Sequence, residues 1–191
     1  MQPTAIPDWA ARLGATPGDP TPAKWSRWTT QVPTYAVTFD ALNPKRNKAE
    51  WKEHWPEEYG KVMLRPLDGS DRSTAEIEVV KAFVDVEWHA RWIDTFHQSP
   101  AWMRPWTRAT DEGRAVSEHL RAIRAASPMS RPWDVVAWRG DEFLFIECKA
   151  DNEKFTDAEQ AFIWGAQNIG IALNRFAVVR GSINLPPRPP A

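Results

Sequence analysis

A single cysteine, Cys148, stands among 191 residues, so no disulfide can form within one chain, which fits a reducing compartment. No apolar run reaches the roughly 20 residues that span a bilayer. Met1 to Asp8 lacks the basic and apolar segments of a secretion signal, so the expectation is a cytoplasmic protein with no membrane partner. Charge of one sign is also lacking. The net charge of −1 excludes a uniformly basic nucleic-acid binder, although a local basic strip would still hold phosphates. Neither a phosphate-cradling loop nor a nucleophile elbow is present.

Tryptophan, by contrast, is abundant: 12 residues spread from Trp9 to Trp164, enough for substantial cores and aromatic platforms. The length suits one domain, and 42% apolar with 26% charged residues is the balance of a globular chain. Charge is distributed unevenly. Arg104, Arg108, Arg114, Arg121, Arg124 and Arg131 outnumber the acids among them, whereas Asp134 to Glu159 is acidic. Two ordinary solvated faces explain this pattern, and so does an acidic pocket beside a phosphate-binding strip.

Three regions follow from the pattern. Residues 1–70 form a Pro- and Trp-rich extension packed on the core, in which Trp9, Leu13, Trp25 and Trp28 are anchors and Thr34 to Phe39 alternates as a strand. A short helix is expected within Asn47 to Tyr59. Residues 71–181 hold the core. Ser73 to Glu76 has the form of a capping box, and Ile77, Val80 and Val84, with Val79 and Phe83 beside them, predict a helix over about 74–86. A strand over Glu87 to Phe96 follows, then a helix over Asp111 to Ala126 with Val116, Leu120 and Ile123 on one side. Strands over Asp134 to Trp138 and Phe143 to Ala150 come next. A second capping box, Thr156 to Glu159, opens a helix to about Asn168, and Arg175 to Arg180 is a last strand. Without the 111–126 helix the order is α-β-β-β-α-β. Residues 182–191 are a Pro-rich tail, expected to be extended and flexible, with docking to a protein partner as the alternative.

The chemistry lies in the segment Arg131 to Ala150. Gly140-Asp141 between two apolar runs predicts a two-residue hairpin turn. If Arg139 pairs with Glu142, Asp134 falls opposite Glu147 and Pro132 opposite Lys149. Paired residues share a face, as do residues two apart on one strand. Asp134, Glu147 and Lys149 therefore project together from the open end of the hairpin, with Val136, Trp138, Phe143 and Phe145 along the same face. The opposite face carries Trp133, Val135, Ala137, Leu144, Ile146 and Cys148, so Cys148 is a core thiol. Both faces are apolar, which predicts a sheet covered on both sides. Two carboxylates and a lysine beside such a layer suit a hard divalent cation with oxygen ligands. A cross-strand salt bridge is the plainer alternative.

Pro132-Trp133-Asp134, followed by Glu147-Cys148-Lys149 on the next strand, resembles the signature of the PD-(D/E)xK nuclease superfamily, with one residue between Pro and Asp. The element order from about 73 to 180 resembles that superfamily's core. The resemblance implies a three-layer α/β/α, restriction-endonuclease-like domain around a mixed sheet. It implies a Mg²⁺- or Mn²⁺-dependent deoxyribonuclease acting as an endonuclease, with metal held by Asp134, Glu147 and the backbone carbonyl of Cys148, and Lys149 as the catalytic lysine. Members with a Glu on the first helix point to Glu76, which is equally a capping-box residue, with Glu78 second. Members with a Gln on the later helix point to Gln160, equally a surface residue, with Gln167 second. Asp94 is read as a strand-end residue, with a further site carboxylate as the alternative, while His89 and His97 are read as structural or phosphate-contacting.

DNA is the expected partner, with Arg114, Arg121, Arg124 and Arg131 on its phosphates and Trp102 or Trp106 available for stacking. Two-strand cutting by single-cut sites favours a homodimer. The rival is a catalytically silent nucleic-acid-binding or assembly module built on the same fold.

Overall fold

A computed structural model describes residues 6–40, 72–93 and 111–184. The chain is mixed α/β. Among the described residues, four α-helices and a mixed six-stranded sheet form the framework, with a separate two-stranded hairpin. In chain order these are α1 (Asp8–Arg12), β1 (Thr16–Pro17), β2 (Thr21–Trp25), β3 (Trp28–Val32), β4 (Thr34–Asp40), α2 (Arg72–Asp85), β5 (His89–Trp92), α3 (Asp111–Ala126), β6 (Val135–Arg139), β7 (Glu142–Ala150), α4 (Asp157–Asn168) and β8 (Phe176–Asn184). The sheet order is β1-β4-β8-β7-β6-β5. β5, β6 and β7 form an antiparallel meander, while β8 lies parallel to both β7 and β4.

The hairpin has the register its turn dictates: Arg139 pairs with Glu142, and the ladder runs back to Val135 opposite Ile146. Gly140 takes φ 55°, which a tight turn between strands of right-handed twist demands. Alternation then divides the apolar residues between two cores. Val136, Trp138, Phe145, Phe176 and Val178 pack with Leu120 and Ile123 of α3, and with Phe162 and Ile163 of α4. Val135, Ala137, Ile146, Ala177 and Val179 pack with Val79, Val80 and Phe83 of α2 and with Trp9 of α1. Helices therefore cover both faces, as two apolar faces require.

Four local expectations are corrected. β6 starts at Val135, and Trp133, expected on the Cys148 face, is fully buried on the opposite one beside Phe155, Phe162 and Phe176. The chain leaves the ladder there: the Arg131 amide donates to the Ala158 carbonyl and Trp133 Nε1 to the Glu159 carbonyl, so period-two alternation stops at Val135. Helix α2 starts at Arg72, which places Ser73 inside it. Its buried stripe is Ala75, Glu76, Val79, Val80, Ala82 and Phe83, while Val84 is 40% exposed. Finally, β5 starts at His89, because α2 ends in a Schellman turn through Glu87 (φ 64°), with Glu87 N–H bonded to Val84 O and Trp88 N–H to Phe83 O.

The N-terminal extension carries the anticipated strand from Thr34, now β4, and three strands that its Pro-rich sequence hid, β1, β2 and β3. β4 joins the sheet beside β8 over Thr34↔Val178 to Asp40↔Asn184. The β2–β3 hairpin lies on α4, with Ala23 and Val32 in the core, Trp25 near Trp164 and Trp28 Nε1 bonded to Gln167 Oε1. Trp9 stacks on Phe83 at 4.8 Å. The helix expected within 47–59 lies outside the described residues; of the expected tail, residues 182–184 instead finish β8, paired with β4, and 185–191 lie outside the described residues. No helix among the described residues is long and apolar enough to cross a membrane.

Candidate functional site

The pairing of β6 with β7 ends at Val135 and Ile146, and the site occupies the wedge beyond. Asp134 is the first residue past the ladder. Its carbonyl accepts from the Ile93 amide, which ties it to β5, and its Oδ2 accepts from the Cys148 amide at 2.9 Å. In extended backbone the N–H and C=O of one residue point to the same strand edge. The Cys148 carbonyl therefore faces the same wedge as Asp134.

Glu147 and Lys149 alternate on β7 and project to the α3–α4 face, 3% and 5% exposed. Lys149 Nζ lies 3.0 Å from Glu147, 2.7 Å from Glu159 and 3.7 Å from Glu153. Burial pushes the Glu147 carboxyl well above its usual range, and the neighbouring Asp134 and Glu159 carboxylates push it further. Burial raises Asp134 to about 6 against the pull of the Cys148 amide and Lys149. For Lys149 burial acts downward, but the carboxylates of Glu147 and Glu159 outweigh it and the ammonium is held more firmly charged. Glu159 is also desolvated, yet its bonds to Lys149 and to the Thr156 amide bring its carboxyl below the ordinary value.

The half-buried Asp134 carboxyl and the buried Glu147 carboxyl, both of which resist ionisation, form with the Cys148 backbone carbonyl an oxygen donor set, and a divalent cation would relieve their desolvation and repulsion. The residues fit such an ion through Asp134, Glu147 and the Cys148 carbonyl, with water completing the shell. Among the described residues, no three His, Cys, Asp or Glu side chains are grouped as a ready cage. Two protein carboxylates plus water is the way Mg²⁺ is commonly held.

The other anticipated residues are placed as follows. Gln160 points away from Lys149: its Oε1 accepts from the Lys24 amide at 2.7 Å and its Nε2 donates to the Phe155 carbonyl. Gln167 serves Trp28. Glu76 is 7% exposed, on the α2 side of the sheet, where it adds to the burial that raises the Cys148 thiol. Strand β7 thus separates Glu76 from Glu147 and Lys149. Glu78 pairs with Lys81 at 3.7 Å. Arg121 and Arg124 are exposed on α3, and Arg131 is exposed near enough to favour the Asp134 carboxylate. His89 is exposed and stacks on Trp138. The Arg114 side chain, Asp94, His97, Trp102 and Trp106 lie outside the described residues.

Two residues of the site escaped the sequence reading. Glu159 was assigned only to its capping box, which is present: Thr156 N–H donates to Glu159 Oε2 at 2.9 Å, and Glu159 N–H to Thr156 Oγ1 at 3.3 Å. A signal existed, since Glu159 precedes buried Phe162, Ile163 and Ala166 by three, four and seven residues and so shares their face. Arg180, paired with Lys149 across β7 and β8, donates through Nη1 to the carbonyls of Ala150, Asp151 and Glu153, and through Nη2 to Thr21 Oγ1. It ties the turn into α4 to the N-terminal hairpin, and no local pattern announces it.

The chain matches no protein-family model, no curated protein and no solved structure.

Proposed function

We propose that this chain is a Mg²⁺- or Mn²⁺-dependent deoxyribonuclease, an endonuclease of restriction-endonuclease-like fold, that hydrolyses DNA phosphodiesters. The observation that carries the reading is the wedge between β6 and β7. There Asp134 accepts from the Cys148 amide, and its charge bears on Glu147, which is paired with a buried lysine. The order α2-β5-β6-β7-α4-β8, with an antiparallel meander followed by a parallel crossover strand, supports the same fold family.

In this reading Asp134, Glu147 and the Cys148 carbonyl hold the cation, which when bound supplies a Lewis acid and lowers the pKa of its water. Lys149, kept charged by its carboxylates, orients the attacking water and offsets charge building on the phosphate. Arg121, Arg124 and Arg131, with Arg114 on the same helix as the first two, bind flanking phosphates. Glu76 and Gln160 act at most through neighbours, Glu76 behind β7 and Gln160 through β2.

The test is cleavage of labelled duplex, single-stranded and branched DNA with Mg²⁺ or Mn²⁺, with EDTA as control. Wild type should cut, and Glu147→Gln and Lys149→Ala should each lose at least ~100-fold in kcat, the scale of removing a group that stabilises transition-state charge. The Lys149–Glu147 ion pair also suits a non-cutting nucleic-acid-binding or assembly module. Metal-independent DNA binding, with no cutting of any substrate, would replace the nuclease reading with that one.

A further inference from the structure

We infer that Glu159 is the positioning residue of Lys149: its carboxylate holds the ammonium in place when Glu147 turns to a cation. The inference rests on the metal-dependent reading above, although its first test does not.

Lys149 sits between two carboxylates of different standing. Glu159 is nearer, at 2.7 Å against 3.0 Å for Glu147. Glu159 is also fixed independently of Lys149, because the Thr156 amide donates to the same oxygen and the capping box locks the residue into the first turn of α4. Its charge is favoured at a helix N-terminus. Glu147 lies one residue past the last β6–β7 pair, Val135 with Ile146, near enough to Asp134 for the two carboxyls to repel each other. A cation shared by Asp134 and Glu147 takes Glu147 away from Lys149. A buried ammonium left without a carboxylate is strongly disfavoured, and would move or lose its proton. With Glu159 in place it does neither. Glu153, at 3.7 Å and with a side chain 29% exposed, is too distant and too well hydrated to substitute. Gln160 faces β2 and cannot.

This division of labour explains how one lysine serves beside a metal site built from its own neighbour. Glu147 is the carboxylate that changes partner, and Glu159 the one that does not.

The experiment follows the Lys149 Nζ protons of the full-length ¹⁵N-labelled protein by NMR, in the absence of metal. Glu147→Gln mimics the withdrawn Glu147. Glu159→Gln removes the charge but keeps an oxygen able to close the capping box. Thr156→Ala breaks the cap alone and controls for general loosening. Slow Nζ exchange should persist in wild type, Glu147→Gln and Thr156→Ala, and become about tenfold faster or more in Glu159→Gln, the loss expected for one charged hydrogen bond. Should Glu159→Gln fold poorly, Glu159→Asp draws the same charge back by one methylene and should shift exchange in the same direction. Fast exchange in Glu147→Gln with slow exchange in both Glu159 variants would overturn the inference, as would no change in any of them.

In the cleavage assay Glu159→Gln should then lower kcat about tenfold and leave KM unchanged, the signature of a group acting only at the chemical step. If wild type cuts nothing, the nuclease reading fails while the Nζ comparison still decides the role of Glu159.

Discussion

Asp134 keeps its proton more tightly in the folded chain than in the unfolded one, at about 6 against 3.8, because burial outweighs the Cys148 amide and Lys149. A carboxyl raised in this way contributes stability that is complete below 3.8 and is lost as pH rises through about 6. Glu147 acts in the same direction, whereas Glu159, lowered by Lys149, contributes stability above its ordinary value that is lost as pH falls. Thermal melts in EDTA should therefore show wild type losing a few degrees relative to Asp134→Asn between about pH 4 and about pH 6. Parallel curves would mean that Asp134 ionises as freely in the fold as out of it. Mg²⁺ should raise the wild-type melting temperature at neutral pH and leave Asp134→Asn nearly unmoved, since an ion that binds only the folded form stabilises it by mass action.

At the scale of elements, the site is held by how α4 seats against its neighbours. Trp133 joins three rings of the core, Phe155, Phe162 and Phe176, and bonds the Glu159 carbonyl, so one side chain positions both the chain entering β6 and the first turn of α4. Trp133→Ala should cost ~3–5 kcal/mol. Residual folded protein should lose metal affinity as well, which calorimetry would read, and intact affinity in that variant would show that Asp134 is placed without it. Gly165 lets α4 approach α3: a Cβ there would lie 2.7 Å from the Ser127 Cβ and 3.2 Å from the Ile123 carbonyl. Alanine favours a helix over glycine by ~1 kcal/mol, yet overpacking costs ~1–3 kcal/mol. Gly165→Ala should accordingly lower the urea midpoint at unchanged slope. A higher midpoint would mean that the two helices separate at no cost.

At the scale of the molecule, residues 6–40 are part of the framework. β4 pairs with β8 along its length, Val37 and Phe39 enter one core, Ala23 and Val32 the other, and Arg180 bridges Thr21 to the turn before α4. A chain shortened to begin near residue 71 would expose the β8 edge and open both cores. It should show no cooperative unfolding transition, and a sharp calorimetric transition in that fragment would sink this prediction. Arg180→Gln should preserve the fold but loosen the 151–155 turn, which amide exchange in that segment would report as faster opening.

The features legible in the sequence were those with short-range causes. A Gly-Asp turn set the register that pairs β6 with β7 as far as Val135 and Ile146, just short of Asp134 and Glu147, the Thr156 capping box opened α4, and apolar spacing marked α3 from Asp111 to Ala126. Each depends on residues a few positions apart. Tertiary structure decided the rest. Whether Trp133 continued the strand alternation or turned into the other core was settled by α4, distant in sequence. Whether Glu159 or Gln160 met Lys149 turned on the rotation of α4 about its axis, fixed by Phe162 and Ile163 settling into the core. The parallel pairing of β4 with β8 joins residues more than a hundred positions apart, and such pairing is chosen only when the whole sheet assembles, because its stabilisation comes from neighbours that local sequence does not contain.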